Sequence, residues 1–219
     1  MPNLEYFRRD LEALVDKLKP PSKILNVLTS IIDKLTKLHM RGIVKINHSV
    51  MEVIVSHYLL RRGFEFVDVE HPISANLRCD VFGVKGESKI IVEIETGFTP
   101  PENSLDPISY LKARIASKIA RYGFYAEKFS LAIPPYYLPP LPIIFSKPPR
   151  ARSLKEAKRL KCLLDTYYKR PPISLDEILH SRLHSILIIN IDTAEVEEVD
   201  PESYLLELHR IYDKYLLIY

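Results

Sequence analysis

The sequence predicts an α/β fold in which helices flank a mixed sheet. Three observations predict it. Residues 49–62, SVMEVIVSHYLLRR, carry the dense apolar periodicity of a partly buried helix. Residues 65–95 then alternate apolar and polar positions through three strands. Residues 106–122 return to a helical stripe before the apolar run FSLAIPP. The predicted core order is helix, three strands, helix, strand, over residues 46–137.

Ahead of the core, residues 1–45 read as a helical extension. Pro20-Pro21 divides it into two amphipathic segments, with Leu4, Phe7, Leu11, Leu14 and Leu18 on the first stripe and Ile24, Leu28, Ile31, Leu35 and Leu38 on the second. Either stripe could cover the sheet or form a dimer contact. Gly63 stops the first core helix. EFVDVEHPIS is the first strand, and the next two lie within RCDVFGVKGESKIIVEIETG, residues 78–97, where Gly83 and Gly86 read as turn glycines. The second core helix has Asp106 as N-cap, Pro107 at its first position and Gly123 past its end. Its apolar stripe is Ile108, Leu111, Ile115, Ile119 and Tyr122. Residues 138–152 hold too many prolines for a central strand or helix and read as a stiff surface connection, and Tyr136 and Tyr137 just before it could stack on unpaired bases, although packing against the domain fits better. Residues 153–219 give a basic helix, the strands HSILIINID and AEVEEVD around a turn near Thr193, and a closing helix from Pro201. No repeat sets this part off, so it completes the same domain.

The acidic strands carry the chemistry. Side chains alternate faces along a strand, so Glu93 and Glu95 project to one side while Ile90, Val92 and Ile94 project to the other. Buried carboxylates are costly unless they are paired or coordinate a cation. Asp80 with this Glu pair therefore points to a divalent metal site.

The element order, with Asp80 followed by Glu93-Ile94-Glu95, resembles the PD-(D/E)XK nuclease superfamily, which includes archaeal Holliday-junction resolvases and RecB-like nucleases. The resemblance covers residues 46–135 and implies a restriction-endonuclease-like core. It implies that Asp80 and Glu93 are metal ligands, and that Glu52 is the acid many members carry on the first helix. Glu95 stands where the family has lysine. A carboxylate cannot supply the positive charge that the lysine brings to the attacking water and the developing phosphate charge. Lys118 is the first candidate to reach that space from the second helix, and Lys118 and Tyr122 have the spacing of the Gln-X-X-X-Tyr pattern of RecB-like nucleases. Lys112 is the second. The extra carboxylate could instead favour a second cation.

The resemblance thus implies a Mg²⁺- or Mn²⁺-dependent deoxyribonuclease with Glu52, Asp80, Glu93, Glu95 and Lys118 as catalytic set and Asp80, Glu93 and Glu52 as metal ligands. Lys112, Arg114, Arg121 and Tyr122 are the candidate nucleic-acid contacts. DNA is the expected partner, with RNA not excluded, and symmetric junction cutting would need a homodimer. The alternative is an inactive nuclease-like module that binds nucleic acid without cutting it.

Composition sets wider limits. The 219 residues carry a net charge of +3, mildly basic, with clusters at 112–121, 147–152 and 155–161 that suit a phosphate track. Two cysteines, no secretory signal and no long apolar run argue against a disulfide framework or a membrane span, and for a cytoplasmic protein. The absence of Gln and the wealth of Lys, Glu, Ile, Tyr and Pro suit a thermophile, as does the archaeal resemblance. His180 and His184 stand at helical i, i+4 spacing beside Asp176 and Glu177, which would suit zinc, although a surface or capping role fits better without an intervening Glu. His48, one turn before Glu52, either adjusts the site or packs the helix start.

Overall fold

The structure, a computed structural model, describes the backbone of residues 2–216 and the side chains of residues 5–211. The side chain of Leu4 in the first predicted stripe, and residues 217–219 of the predicted closing helix, lie outside the described residues. Six strands form one open mixed sheet in the order β1-β2-β3-β4-β5-β6: β1 (Phe66–Ser74), β2 (Leu77–Lys85), β3 (Ser88–Ile94), β4 (Lys128–Ile133), β5 (Ser185–Asn190) and β6 (Glu195–Val199). Tight turns make β1, β2 and β3 an antiparallel meander. Helical crossovers make β3, β4 and β5 parallel, as such connections require. The last strand returns antiparallel. The expected helix, three strands, helix, strand order is present as α3 (Ile46–Arg61), β1 to β3, α4 (Pro107–Tyr122) and β4.

Each face of the sheet has its own apolar layer. Val67, Val69, Ile90, Val92 and Ile94 meet α3, and α1 (Pro2–Leu18) and α2 (Ser22–Met40) close over α3 from outside. This explains why α3 is apolar almost all round, since it is covered on both sides. Phe7, Leu11, Leu28, Ile31 and Leu35 are buried within the chain, so the N-terminal stripes cover the sheet side rather than standing open. On the other face Ile91, Phe129, Leu131 and Ile186 meet α4, α5 (Leu154–Tyr167), α6 (Leu175–His180) and α7 (Pro201–Leu216).

Several expectations need correcting. Ile108 is 60 % exposed and lies outside the packed stripe of α4. The proline-rich segment is not merely a surface connection: Leu141, Ile144 and Phe145 are buried in the second layer, while Tyr136 stays exposed. Gly86 is a turn glycine with φ of +58°, but Gly83 lies inside β2. A Cβ at Gly83 would come within 2.9 Å of the Phe64 ring and 3.0 Å of Ile90. Gly83→Ala is therefore expected to destabilise the fold by about 1–3 kcal/mol through overpacking, read as a lower Tm; an unchanged Tm would mean that this contact relaxes freely. Finally, α6 ends at His180, so His184 is not its helical partner. His180 pairs with Asp176, while His184 Nδ1 accepts the Phe129 N–H, which separates the two rings chemically and removes the zinc arrangement.

Among the described residues no helix is long and apolar enough to cross a membrane. Cys79 and Cys162 are free, the first buried and the second exposed.

Candidate active site

The β2–β3 ladder pairs Val81 with Val92 and goes no further. Beyond that point side chains replace the missing ladder bonds. The Asp80 N–H donates to Glu93 Oε1 at 3.2 Å, and the Ile94 N–H donates to Asp80 Oδ2 at 2.6 Å. Both carboxylates are thus fixed by backbone. Opposite Asp80, Glu70 of β1 has φ of +46°, a left-handed conformation that costs a non-glycine residue about 1 kcal/mol or more. Here the strand alternation breaks, so that Val81 faces the α3 layer while Cys79 faces the α4 layer. Asp80 sits at the switch, and simple period-two reading of the sequence misses it.

Glu93 and Glu95 both project to the α4 side, as their spacing predicts, and both are buried. Lys118 of α4 reaches them. Its Nζ donates to Ile94 O at 2.9 Å and lies 2.8 Å from Glu95 Oε1, 3.0 Å from Glu93 Oε2 and 3.5 Å from Asp80 Oδ2. One turn earlier on the same helix, Arg114 Nε donates to both Glu95 oxygens at 2.8 and 3.0 Å, and its NH1 to the Tyr110 hydroxyl at 3.4 Å. Tyr110, Arg114 and Lys118 form one i, i+4 row. From the other side of the sheet, His48 Nε2 stands 3.2 Å from Asp80 Oδ1.

The electrostatics follow from burial. Burial alone would raise the Asp80 carboxyl, but Lys118 and His48 outweigh it and hold the group below the usual carboxylate range. Glu93 is pushed up, first by burial and then by Asp80. Burial also works against the Lys118 charge, yet the three acids outweigh it and raise the ammonium well above its ordinary value. Three carboxyl groups thus face two fixed cations, and Glu93, pushed up to about 8, keeps its proton at neutral pH, a proton that a divalent cation would have to displace.

Glu52 from α3 is fully buried. Neither of its oxygens has a formed hydrogen bond, with the Ser49 hydroxyl one turn back as only a weak partner. Burial, then Asp80 and Glu70, raise it well above the ordinary value near 4.5. Such a group stabilises the fold below its unfolded value, and that contribution is lost as pH rises toward the native one. Glu52→Gln, which keeps the shape without the charge, is therefore expected to gain Tm over wild type progressively from about pH 5 to pH 8 in a chelator. Parallel melting curves across that range would overturn the assignment.

The remaining candidates are placed as follows. The Tyr122 hydroxyl donates to Arg78 O at 2.7 Å, so this residue braces β2. Arg121 NH2 donates to Pro171 O at 2.7 Å, with its guanidinium over the Tyr168 ring. Lys112 is exposed and lines a cleft with Ile108 and Pro142, apart from the acids. Of the two lysines weighed for the site, the structure brings in Lys118. Arg114, expected to contact nucleic acid, is engaged by Glu95.

Among the described residues no three His, Cys, Asp or Glu side chains form a ready-made metal cage. The point where Asp80, Glu93 and Glu95 meet is held instead by an ammonium within 3.5 Å of four oxygens. Mg²⁺ and Mn²⁺ need no full cage, since one or two carboxylates with water suffice. The donors at hand, the carboxyl oxygens of Asp80 and Glu93, are hard and fit such an ion.

Comparison with protein-family models, curated proteins and solved structures gives no match. The geometry therefore carries the functional reading alone.

Proposed function

We propose that this protein is a metal-dependent nuclease that hydrolyses phosphodiester bonds in DNA, built on a restriction-endonuclease-like core. One observation carries the reading: the Lys118 ammonium lies among Asp80, Glu93 and Glu95, so α4 supplies the positive charge that Glu95 cannot.

A divalent cation bound by Asp80 and Glu93, with Glu52 as a further acid nearby, would supply Lewis acidity and a water of lowered pKa. Asp80 is kept ionised for that task by Lys118 and His48. Lys118 stays protonated through neutral pH, so it is no general base. It acts as a fixed positive donor toward charge developing on a phosphate oxygen. Glu95 is the shared partner of this arrangement, accepting from Arg114 and paired with Lys118.

A second reading, an inactive nucleic-acid-binding module, is favoured by the completeness of the Lys118 and Arg114 ion pairs, which satisfy Glu95 and tie down Glu93. Supercoiled plasmid, single-stranded DNA and a four-way junction incubated with Mg²⁺ or Mn²⁺ separate the two. Cleavage that chelator abolishes is expected; binding without cleavage under any of these conditions would favour the inactive module. Preference for the junction would further call for a homodimer, testable by the protein's mass in solution.

A further inference from the structure

The edge of the sheet remote from the acids also carries an organised surface. Ser88, at the start of β3, lies roughly 20 Å along the strand from Glu93 and Glu95, given the rise per residue. Around it opens a cavity of about 550 Å³ that Arg62, Lys85, Lys128 and His184 line. A second cavity of about 580 Å³, lined by Arg150, Arg182 and the same His184, adjoins it. His184 Nδ1 accepts the Phe129 N–H at 3.1 Å, so the neutral ring keeps its proton on Nε2, a donor between the two cavities.

The α4–β4 loop lies on this same edge. Gly123 approaches so closely that a Cβ there would be 3.0 Å from Arg182 N, and Glu127 at the other end of the loop accepts the Lys89 N–H at 2.7 Å. Between them Phe124 and Tyr125 are each 48 % exposed. Both half-exposed rings precede Lys128, by four and three residues, in the loop whose first residue, Gly123, lies against the Arg182 backbone. Two acids at this end are already engaged. Glu198 takes the Tyr58 hydroxyl at 2.8 Å and lies 3.4 Å from Arg62, and Glu127 holds the Lys89 amide. Among the described residues Lys128, Arg182 and Arg150 form no ion pair within 4 Å, although the Lys128 charge acts on Glu198.

We infer that this edge binds single-stranded nucleic acid, with Phe124 and Tyr125 stacking on unpaired bases and Lys128, Arg182 and His184 meeting the backbone. Unpaired bases present open faces on which aromatic rings stack, and cations beside them follow the phosphates, which is the chemistry of sequence-tolerant single-strand binding. In an intact duplex those faces are covered by neighbouring base pairs, and a ring reaches them only at the cost of unstacking a step. The inference goes beyond the cleavage reading and does not depend on it, because none of these residues touches Asp80, Glu93 or Lys118.

The test is fluorescence anisotropy of a labelled oligothymidylate and of a matching duplex, in chelator so that no cutting occurs. The wild-type protein is expected to prefer the single strand. The double variant Phe124→Ala, Tyr125→Ala should weaken that binding by at least about fivefold for each ring, with the salt dependence unchanged. Phe124→Tyr with Tyr125→Phe should bind as wild type, which separates stacking from loss of fold. Lys128→Glu with Arg182→Glu should weaken binding and lower the slope of log K against log salt by about 1.4. Preference for duplex, absence of binding, or full binding by either the Ala or the Glu double variant would overturn the inference.

Discussion

Glu93→Ala is expected to lower metal-dependent cleavage by about a thousandfold or more, because it removes one of two carboxylates proposed to hold the cation, and Lewis-acid stabilisation amounts to several kcal/mol of the barrier. The fold should survive. Glu93 is buried beside Asp80 and pushed above the usual carboxylate range, so its ionised form is a burden on the native state rather than a support. What the substitution loses structurally is one acceptor for the Asp80 N–H, a bond of 3.2 Å, and one contact of Lys118, which keeps Glu95 and Ile94 O. The expected pattern is therefore near-normal melting, normal binding of nucleic acid and no cutting. Glu93→Gln, which preserves shape, should fail in the same way. Cleavage at wild-type rate by either variant would remove Glu93 from the chemistry, and a collapse in Tm would show that its role is in the fold.

The parts of this arrangement that follow local periodicity were legible in the sequence, and the parts that depend on a backbone irregularity were not. Period-two alternation is enough to put Glu93 and Glu95 on one face and Ile90, Val92 and Ile94 on the other, and the structure keeps that division. The helical stripe of α4 likewise brings Lys118 to its border, within reach of β3. The same i, i+4 arithmetic links Tyr110, Arg114 and Lys118 and could have revealed that Arg114 serves Glu95. Nothing local announces the left-handed Glu70, which stands across from Asp80 where the faces of Cys79 and Val81 separate. Nor does a strand pattern show that the β2–β3 ladder stops at Val81, leaving Asp80 to bond through its side chain. Gly83 misled for a related reason, since a glycine needed for close packing against Phe64 looks the same in sequence as one needed for a turn.

Lys118→Ala should be the most destabilising single substitution at the site. The ammonium is nearly enclosed and faces three carboxylates, two of them almost fully buried. Removing one partner of a buried ionic group leaves uncompensated charge and costs about 3–5 kcal/mol, a fall in Tm on the order of 10 °C for a chain of this size. Lys118→Met separates charge from packing, because Met keeps most of the stem. If charge is the cause, Met is as harmful as Ala. The loss should also shrink as pH falls from 7 toward 5: without the ammonium the buried carboxyls have raised native values, and a raised acid contributes stability below its unfolded value that is lost as pH rises. Most telling is the response to Mg²⁺ or Mn²⁺. The cation would then meet Asp80, Glu93 and Glu95 with no ammonium competing, and a ligand that binds only the folded state at a hundred times its Kd returns about 2.7 kcal/mol. Divalent ions should therefore raise the Tm of Lys118→Ala by more than they raise that of wild type. If Mg²⁺ and Mn²⁺ leave the variant's melting unchanged, the acids do not accept a divalent cation, and the metal-dependent reading falls with them.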